Sequence, residues 1–280
     1  MKHTSMSDDE YKLLSAIIEK RTGISLGSEK KYLLEARFPP LLAEFHAHSY
    51  LELSHKISRD HSNHMTDVLA EAITTNETSW FRDGAPFAVF EKEVVPEILK
   101  SLDESGRKIR LWSAACSTGQ EPYSMAMACL EASERANVEP NFEIIATDLS
   151  PGSLSKASSG KYDKRDMERG MPGHLVDKYM THSHGMFQPS PEVRSMIKFG
   201  RQNLQEDFAP LGMFDVVFVR NVTIYFSGGL KRDILERVAK SIRPGGFLFL
   251  GASESMGDVD RLFRMVHSHG AIYFRRTEAF

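Results

Sequence analysis

Cysteine is scarce in this chain: Cys116 and Cys129 are the only two among 280 residues. That excludes a disulfide scaffold. A bridge between them would only staple a loop to the helix behind it, so both read as reduced thiols of a cytoplasmic protein. Long apolar runs are missing as well. None approaches the ~20 residues that span a bilayer, so no membrane insertion is expected. Met1-Lys2-His3-Thr4-Ser5 lacks the apolar core of a secretory leader. Charge of one sign is also lacking: the formal net charge is −3, which removes any global attraction to nucleic acid or anionic lipid. The three-glycine dinucleotide fingerprint is absent, since the one suitable loop has a single glycine, Gly119. The eleven histidines include the close pairs His46/His48, His61/His64, His182/His184 and His267/His269. None joins a cysteine or glutamate in a zinc pattern, so no metal is expected. Gly251-Ala252-Ser253-Glu254-Ser255 lacks the closing glycine of a nucleophile elbow, and no acid–histidine order follows it.

What is present is ordinary globular material: 41% hydrophobic and 26% charged residues, with length for a large domain and a small companion. Residues 1–73 read as all-helical. Ser7 and Glu10 have capping-box spacing, and Tyr11, Leu14 and Ile18, with Leu13 and Ile17, fall on one helical stripe that Gly23 terminates. A second helix spans about 28–38, where Pro39-Pro40 interrupts it. Weaker helical segments follow around 50–58 and 65–73. Residues 74–89 form a connector rich in polar residues. From 90 to 280 strands alternate with helices: strands at 109–112, 142–147, 214–219, 247–250 and 271–275, and helices starting near Glu121-Pro122 and covering 230–242. That alternation indicates an α/β fold with an open, mostly parallel sheet wound on both faces. Between about 161 and 199 the periodicity fades, which reads as an insertion.

Open parallel sheets bind ligands at the carboxyl ends of their strands. Three such ends carry suggestive residues. After the first strand comes Ser113-Ala114-Ala115-Cys116-Ser117-Thr118-Gly119-Gln120-Glu121, where small side chains let backbone N–H groups approach a ligand at a helix N-terminus. Asp148 ends the second strand and can accept hydrogen bonds from both ribose hydroxyls of a nucleoside, or cap a helix begun at Leu149-Ser150-Pro151. Arg220-Asn221-Val222-Thr223-Ile224-Tyr225-Phe226 follows the third, either at the rim of the same crevice or as loop caps.

The connector Thr74-Thr75-Asn76-Glu77-Thr78-Ser79-Trp80-Phe81-Arg82-Asp83 is polar, then aromatic, then cationic. In the plain reading Trp80 and Phe81 pin it to the sheet domain. Together with EKRTGISL near the start, STGQEPYS, ATDLS, RNVTIYF and GASES, in that order along nearly the whole chain, it resembles the CheR-type chemotaxis receptor methyltransferases.

The resemblance implies a helical N-terminal domain and a Rossmann-like catalytic domain enclosing S-adenosylmethionine. It implies transfer of a methyl group to glutamate carboxylates on the cytoplasmic domains of membrane chemotaxis receptors, by a monomeric cytoplasmic enzyme without a metal. On this sequence Asn76, Thr78 and Arg82 become pocket residues. Glu121 lies by the methionyl end, Asp148 holds the ribose, and Asn203-Leu204 sits beside the adenine. Arg220 and Asn221 complete the site, with Arg82 orienting the substrate and Tyr225 facing the methyl-transfer centre. Two positions depart from the family: Gln120 precedes Glu121 where two glutamates are usual, and Phe38-Pro39-Pro40 replaces a run of arginines. Lys30, Lys31 and Arg37 remain there, offset by Glu29 and Glu35. Alternatives are a methyltransferase for another protein or a small molecule, and a noncatalytic S-adenosylmethionine sensor.

Overall fold

The computed structural model describes residues 5–60, 62–101, 107–139 and 141–277. His61 of the histidine pairs and Met1 to Thr4 of the presumed start lie outside them. The chain begins its first helix where the capping box sets it: α1 covers Asp8–Thr22, Glu10 N–H donates to Ser7 Oγ, and Ser7 N–H donates back to Glu10 Oε2. Gly23 ends it in a left-handed turn, φ 79°. Tyr11, Leu14 and Ile18 are buried, whereas Leu13, assigned to the same stripe by spacing, is exposed. The prolines do break the second helix, but only for one residue. α2 (Lys31–Arg37) stops at Phe38 and α3 (Pro39–Glu44) restarts with proline in its first turn, where the missing N–H costs nothing. α4 (Tyr50–Arg59) and α5 (Asn63–Ile73) complete a bundle around Leu14, Ile18, Leu34, Phe38, Leu53 and Leu69. Two of the three basic residues around α2 are committed within the domain. Lys31 pairs with Asp8 at 2.7 Å, and Arg37 Nη1 donates to the Ile73 and Thr74 carbonyls that end α5.

After the connector come α6 (Ala85–Val89), a π-helical turn (Phe90–Val94) and α7 (Val95–Ser101), a continuous helix that the sequence reading left unassigned. The sheet domain then alternates β1 (Ile109–Ala114), α8 (Gln120–Ala136), β2 (Phe142–Asp148) and α9 (Pro151–Ser159). An outlying unit follows: α10 (Lys164–Glu168), α11 (Gly173–Tyr179), the hairpin β3 (Met180–Ser183) and β4 (Met186–Pro189), and α12 (Pro191–Ser195). The main sheet resumes with β5 (Ile197–Arg201), β6 (Phe214–Val219), α13 (Gly228–Ser241), β7 (Ile242–Leu250), β8 (Phe263–Ser268) and β9 (Ala271–Arg276).

The sheet order is β5-β2-β1-β6-β7-β9-β8. The first five strands run parallel, and β9 and β8 are antiparallel. This is the α/β class expected, but two strands escaped the sequence. β5 begins inside the span assigned to the insertion and runs past its end, because Ile-Lys-Phe-Gly-Arg on a sheet edge has neither a long apolar run nor a clean alternation. β8 is missed for the same reason, with three of its six residues polar or basic. β6 is buried at every position, including Asp215, whose carboxylate pairs with Arg107 at 2.8 Å and accepts the Arg110 N–H. Chain order winds outward from β1 to β2 and β5, then returns to β6 on the other side. The switch point between β1 and β6 is therefore where a ligand crevice belongs. No helix among the described residues is long and apolar enough to cross a membrane.

Candidate active site

A cleft of about 960 Å³, counting space open to solvent, lies at that switch point. Every residue that the resemblance placed in the site lines it: Asn76, Thr78 and Arg82 from the connector, Glu121 from α8, Asp148 from β2, Asn203 and Leu204 after β5, and Arg220, Asn221 and Tyr225 after β6. Five separated segments are thus brought to one place, four of them by the strand order.

The floor is the β1–α8 loop. Its backbone is held in left-handed conformations at Ala115 (φ 62°), Ser117 (φ 50°) and Gly119 (φ 96°), which cost free energy unless the surroundings fix them. Asp148 fixes them. Its Oδ2 accepts the Ser117 N–H at 2.7 Å and its Oδ1 accepts the Ser150 N–H at 2.9 Å. Ser150, not Asp148, caps α9, its Oγ accepting the Ser153 N–H at 2.9 Å. That separates the two roles left open in the sequence. Burial outweighs these N–H donors and raises the Asp148 pKa above its ordinary value. Each carboxylate oxygen still has a lone pair available. Gly119 does not line the cleft. A Cβ there would stand 2.8 Å from the Tyr162 hydroxyl, so its glycine serves packing against the insertion.

Glu121 lies deeper, its Oε1 accepting from Ser113 Oγ at 2.8 Å and its Oε2 pairing with Arg220 at 3.2 Å. Burial is the main influence and raises its pKa despite Arg220. The Arg220 side chain is fully buried. It donates to Asp83 Oδ2 (2.7 Å) and to the Arg82 carbonyl (2.9 Å), and its Nε has no partner among the described residues. Arg220 therefore ties the connector to the sheet. Arg82 itself donates one bond, to the Glu77 carbonyl at 3.0 Å. Trp80 anchors the connector as the plain reading held: it is 1% exposed, its Nε1 donates to the Asp166 carbonyl and its N–H to the Arg169 carbonyl.

The helical domain closes the cleft from above, through residues that the sequence did not single out. Thr22, Ile24 and Ile73 line it. Ile24 and Phe226 form an antiparallel bridge, and Ser25 N–H donates to the Tyr225 carbonyl at 2.8 Å. Asn203 Nδ2 donates to the Arg21 carbonyl at 2.9 Å, so much of its side chain is committed to the domain contact. Glu71 of α5 accepts from Ser150 Oγ and the Gly152 N–H, both at 2.6 Å, at the start of α9. Polar residues on an exposed helix face gave no sequence signal for this.

These residues fit a nucleoside with a charged tail. Asp148 offers acceptors for vicinal hydroxyls, the volume is that of a small-molecule site, and Glu121 supplies a buried carboxylate beside the loop. Among the described residues no group of three or more metal-ligating side chains gathers. Residues 76–272 match the family described as CheR methyltransferase, SAM binding domain, and residues 9–74 the CheR methyltransferase, all-alpha domain. The chain is 39% identical to chemotaxis protein methyltransferase 1 of Pseudomonas aeruginosa, over 97% of this chain and 99% of that protein. It is 39% identical to chemotaxis protein methyltransferase Cher2 of Pseudomonas putida over 94% and 97%, and 38% identical to the chemotaxis protein methyltransferase of Vibrio anguillarum over 97% and 98%. The pocket and both domains lead to one conclusion: the chain belongs to the CheR methyltransferase family, enzymes of chemotaxis that use S-adenosylmethionine as cofactor.

Proposed function

We propose that this methyltransferase esterifies glutamate side-chain carboxylates on the cytoplasmic domains of chemotaxis receptors, meeting them in the cytoplasm as a monomer. In this reading residues 1–73 are the helical domain, 74–89 the connector walling the pocket, and 90–280 the catalytic domain. Asp148 holds the ribose hydroxyls, Asn203 and Leu204 flank the adenine, and Glu121 faces the amino-acid tail. Asn76, Thr78, Arg220 and Asn221 complete the enclosure.

The observation that carries the reading is the state of Arg82. Among the described residues it lines the cleft with a single hydrogen bond, to the Glu77 carbonyl, while its neighbour Arg220 is committed on every side but Nε. An arginine with most of its fork uncommitted at a cleft matches a carboxylate acceptor. When bound, the cofactor supplies a methyl group on a cationic sulfur. The chain's residues have no proton to remove, because a glutamate side chain (ordinary pKa ~4.3) is already ionised near neutrality. Their work is orientation and exclusion of water. Arg82 directs the incoming carboxylate without pairing so tightly as to blunt it, and Tyr225 offers a hydroxyl across the cleft. The closing helical domain keeps the site dry, which favours a transfer that neutralises charge. Orientation of this kind supplies up to roughly 7–11 kcal/mol.

The test is label transfer from tritiated S-adenosylmethionine to membranes carrying the organism's receptors. Label that disappears when receptor glutamates are replaced by alanine supports the reading. Label that persists on other residues, or tight cofactor binding with no label on any receptor, overturns it.

A further inference from the structure

The GASES segment yields no nucleophile, yet its glutamate makes the densest set of hydrogen bonds near the cleft. Glu254 lies in the loop after β7, half-buried, facing the turn that leaves β6. Its Oε2 accepts the Asn221 N–H at 2.6 Å and the Gly251 N–H at 2.7 Å. Its Oε1 accepts the Val222 N–H at 3.0 Å, the Thr223 N–H at 2.7 Å and the Thr223 hydroxyl at 2.7 Å. Three successive backbone N–H groups converge because Asn221 takes a left-handed conformation, φ 58°. Such a concavity of amides ordinarily binds an anion, and here the protein's own carboxylate fills it. The fit is close on the far side too: a Cβ on Gly251 would stand 2.7 Å from Glu254 Oε2 and 2.8 Å from the Asn221 nitrogen.

The turn held this way delivers Asn221, Val222, Tyr225 and Phe226 to the cleft wall. Unheld, a left-handed asparagine followed by three unpaired amides has every reason to relax, since each buried N–H without an acceptor is costly. We propose that Glu254 is a positioning residue for methyl transfer: it does not touch substrate or cofactor, but fixes the 221–225 turn so that Asn221 and Tyr225 face the reacting groups. A carboxylate is required there because all five partners are donors. The amide of Gln would turn an NH₂ toward one set of them.

This inference rests on reading Asn221 and Tyr225 as pocket residues, and the two fail differently. Full turnover in Tyr225→Phe removes Tyr225 from the transfer site and leaves Glu254 to act through Asn221.

The test uses the full-length enzyme and the variants Glu254→Gln, Glu254→Asp and Gly251→Ala. Turnover, S-adenosylhomocysteine affinity by calorimetry and hydrogen exchange of the 221–223 amides are measured on each. Displacement of a reacting geometry by about an ångström costs on the order of 100-fold in rate. Glu254→Gln is therefore expected to lower kcat by roughly 10- to 100-fold, with a smaller loss of affinity because Asn221 is one of several residues enclosing the cofactor, and exchange of those amides accelerated. Glu254→Asp, which keeps the charge, should recover part of kcat. Gly251→Ala, which crowds the same contact with Glu254 intact, should show the same kcat-selective loss and carries the test if Glu254→Gln does not fold. Unchanged kcat in whichever variants fold overturns the proposal. So does a parallel fall of kcat, affinity and thermal stability in Gln and Asp variants alike, which marks a merely structural contact.

Discussion

Asp148→Ala has two consequences that the structure separates. In the proposed complex its carboxylate accepts two ribose hydroxyls. Removing a charged acceptor of that kind costs about 1.5–3 kcal/mol, roughly 10- to 150-fold in Kd. The free protein also loses, because Ser117 N–H and Ser150 N–H both donate to this carboxylate. Ser150 is fully buried, so its orphaned amide costs about 1–3 kcal/mol, while Ser117 borders the cleft, where water can replace the lost acceptor. Calorimetry with S-adenosylhomocysteine reads the first effect and thermal unfolding without ligand reads the second. Asp148→Asn keeps one acceptor oxygen for the loop and should recover more stability than affinity. Acid sharpens the test. Burial raises the Asp148 pKa above 3.8, and hydroxyl donors bind the ionised form, so on acidification cofactor affinity should begin to fall at a higher pH than an ordinary aspartate would give. Between 3.8 and the folded value the unliganded native state takes up a proton that the unfolded chain does not. This residue's contribution to stability therefore rises as pH falls through that window and is lost as pH rises through it. Unchanged affinity in Asp148→Ala refutes the ribose assignment, whatever happens to stability.

Glu143 should behave in the opposite sense. Lys198 and Arg110, at 2.6 and 2.8 Å, hold its pKa at about 2 against an ordinary 4.5. Its stabilisation is present above 4.5 and disappears as pH falls toward 2, so Glu143→Gln should flatten the acid limb of a stability curve measured by chemical denaturation. Arg82→Ala and Tyr225→Phe should lower turnover more than unfolding temperature, since the guanidinium makes one hydrogen bond, and the tyrosine hydroxyl none, to the described residues. Equal losses in both assays would make them structural residues.

How far the sequence carried depends on the kind of contact. α1 was legible because its start and stop are local: Ser7 and Glu10 are three residues apart and Gly23 follows directly. The strand ends at Asp148 and Arg220 were legible because an apolar run ending in a polar residue is itself the signal, and the sheet order then joined them. Contacts across the chain left no such trace. Glu71 reaches α9 from 79 residues away, and Glu254 reaches Asn221 across 33. Arg37, which the sequence sets against Glu29 and Glu35, instead caps α5. β5 was hidden because an edge strand with Lys198 and Gly200 carries no hydrophobic period.

The central claim is that the product is a carboxyl ester, and ester chemistry tests it directly. Receptor labelled with tritiated S-adenosylmethionine by the purified enzyme should be treated briefly with mild alkali. Hydroxide cleaves a methyl ester to methanol, so the account predicts that the label becomes volatile. Methyl groups on nitrogen, carbon or a sugar oxygen survive that treatment, and label that stays with the protein would contradict it.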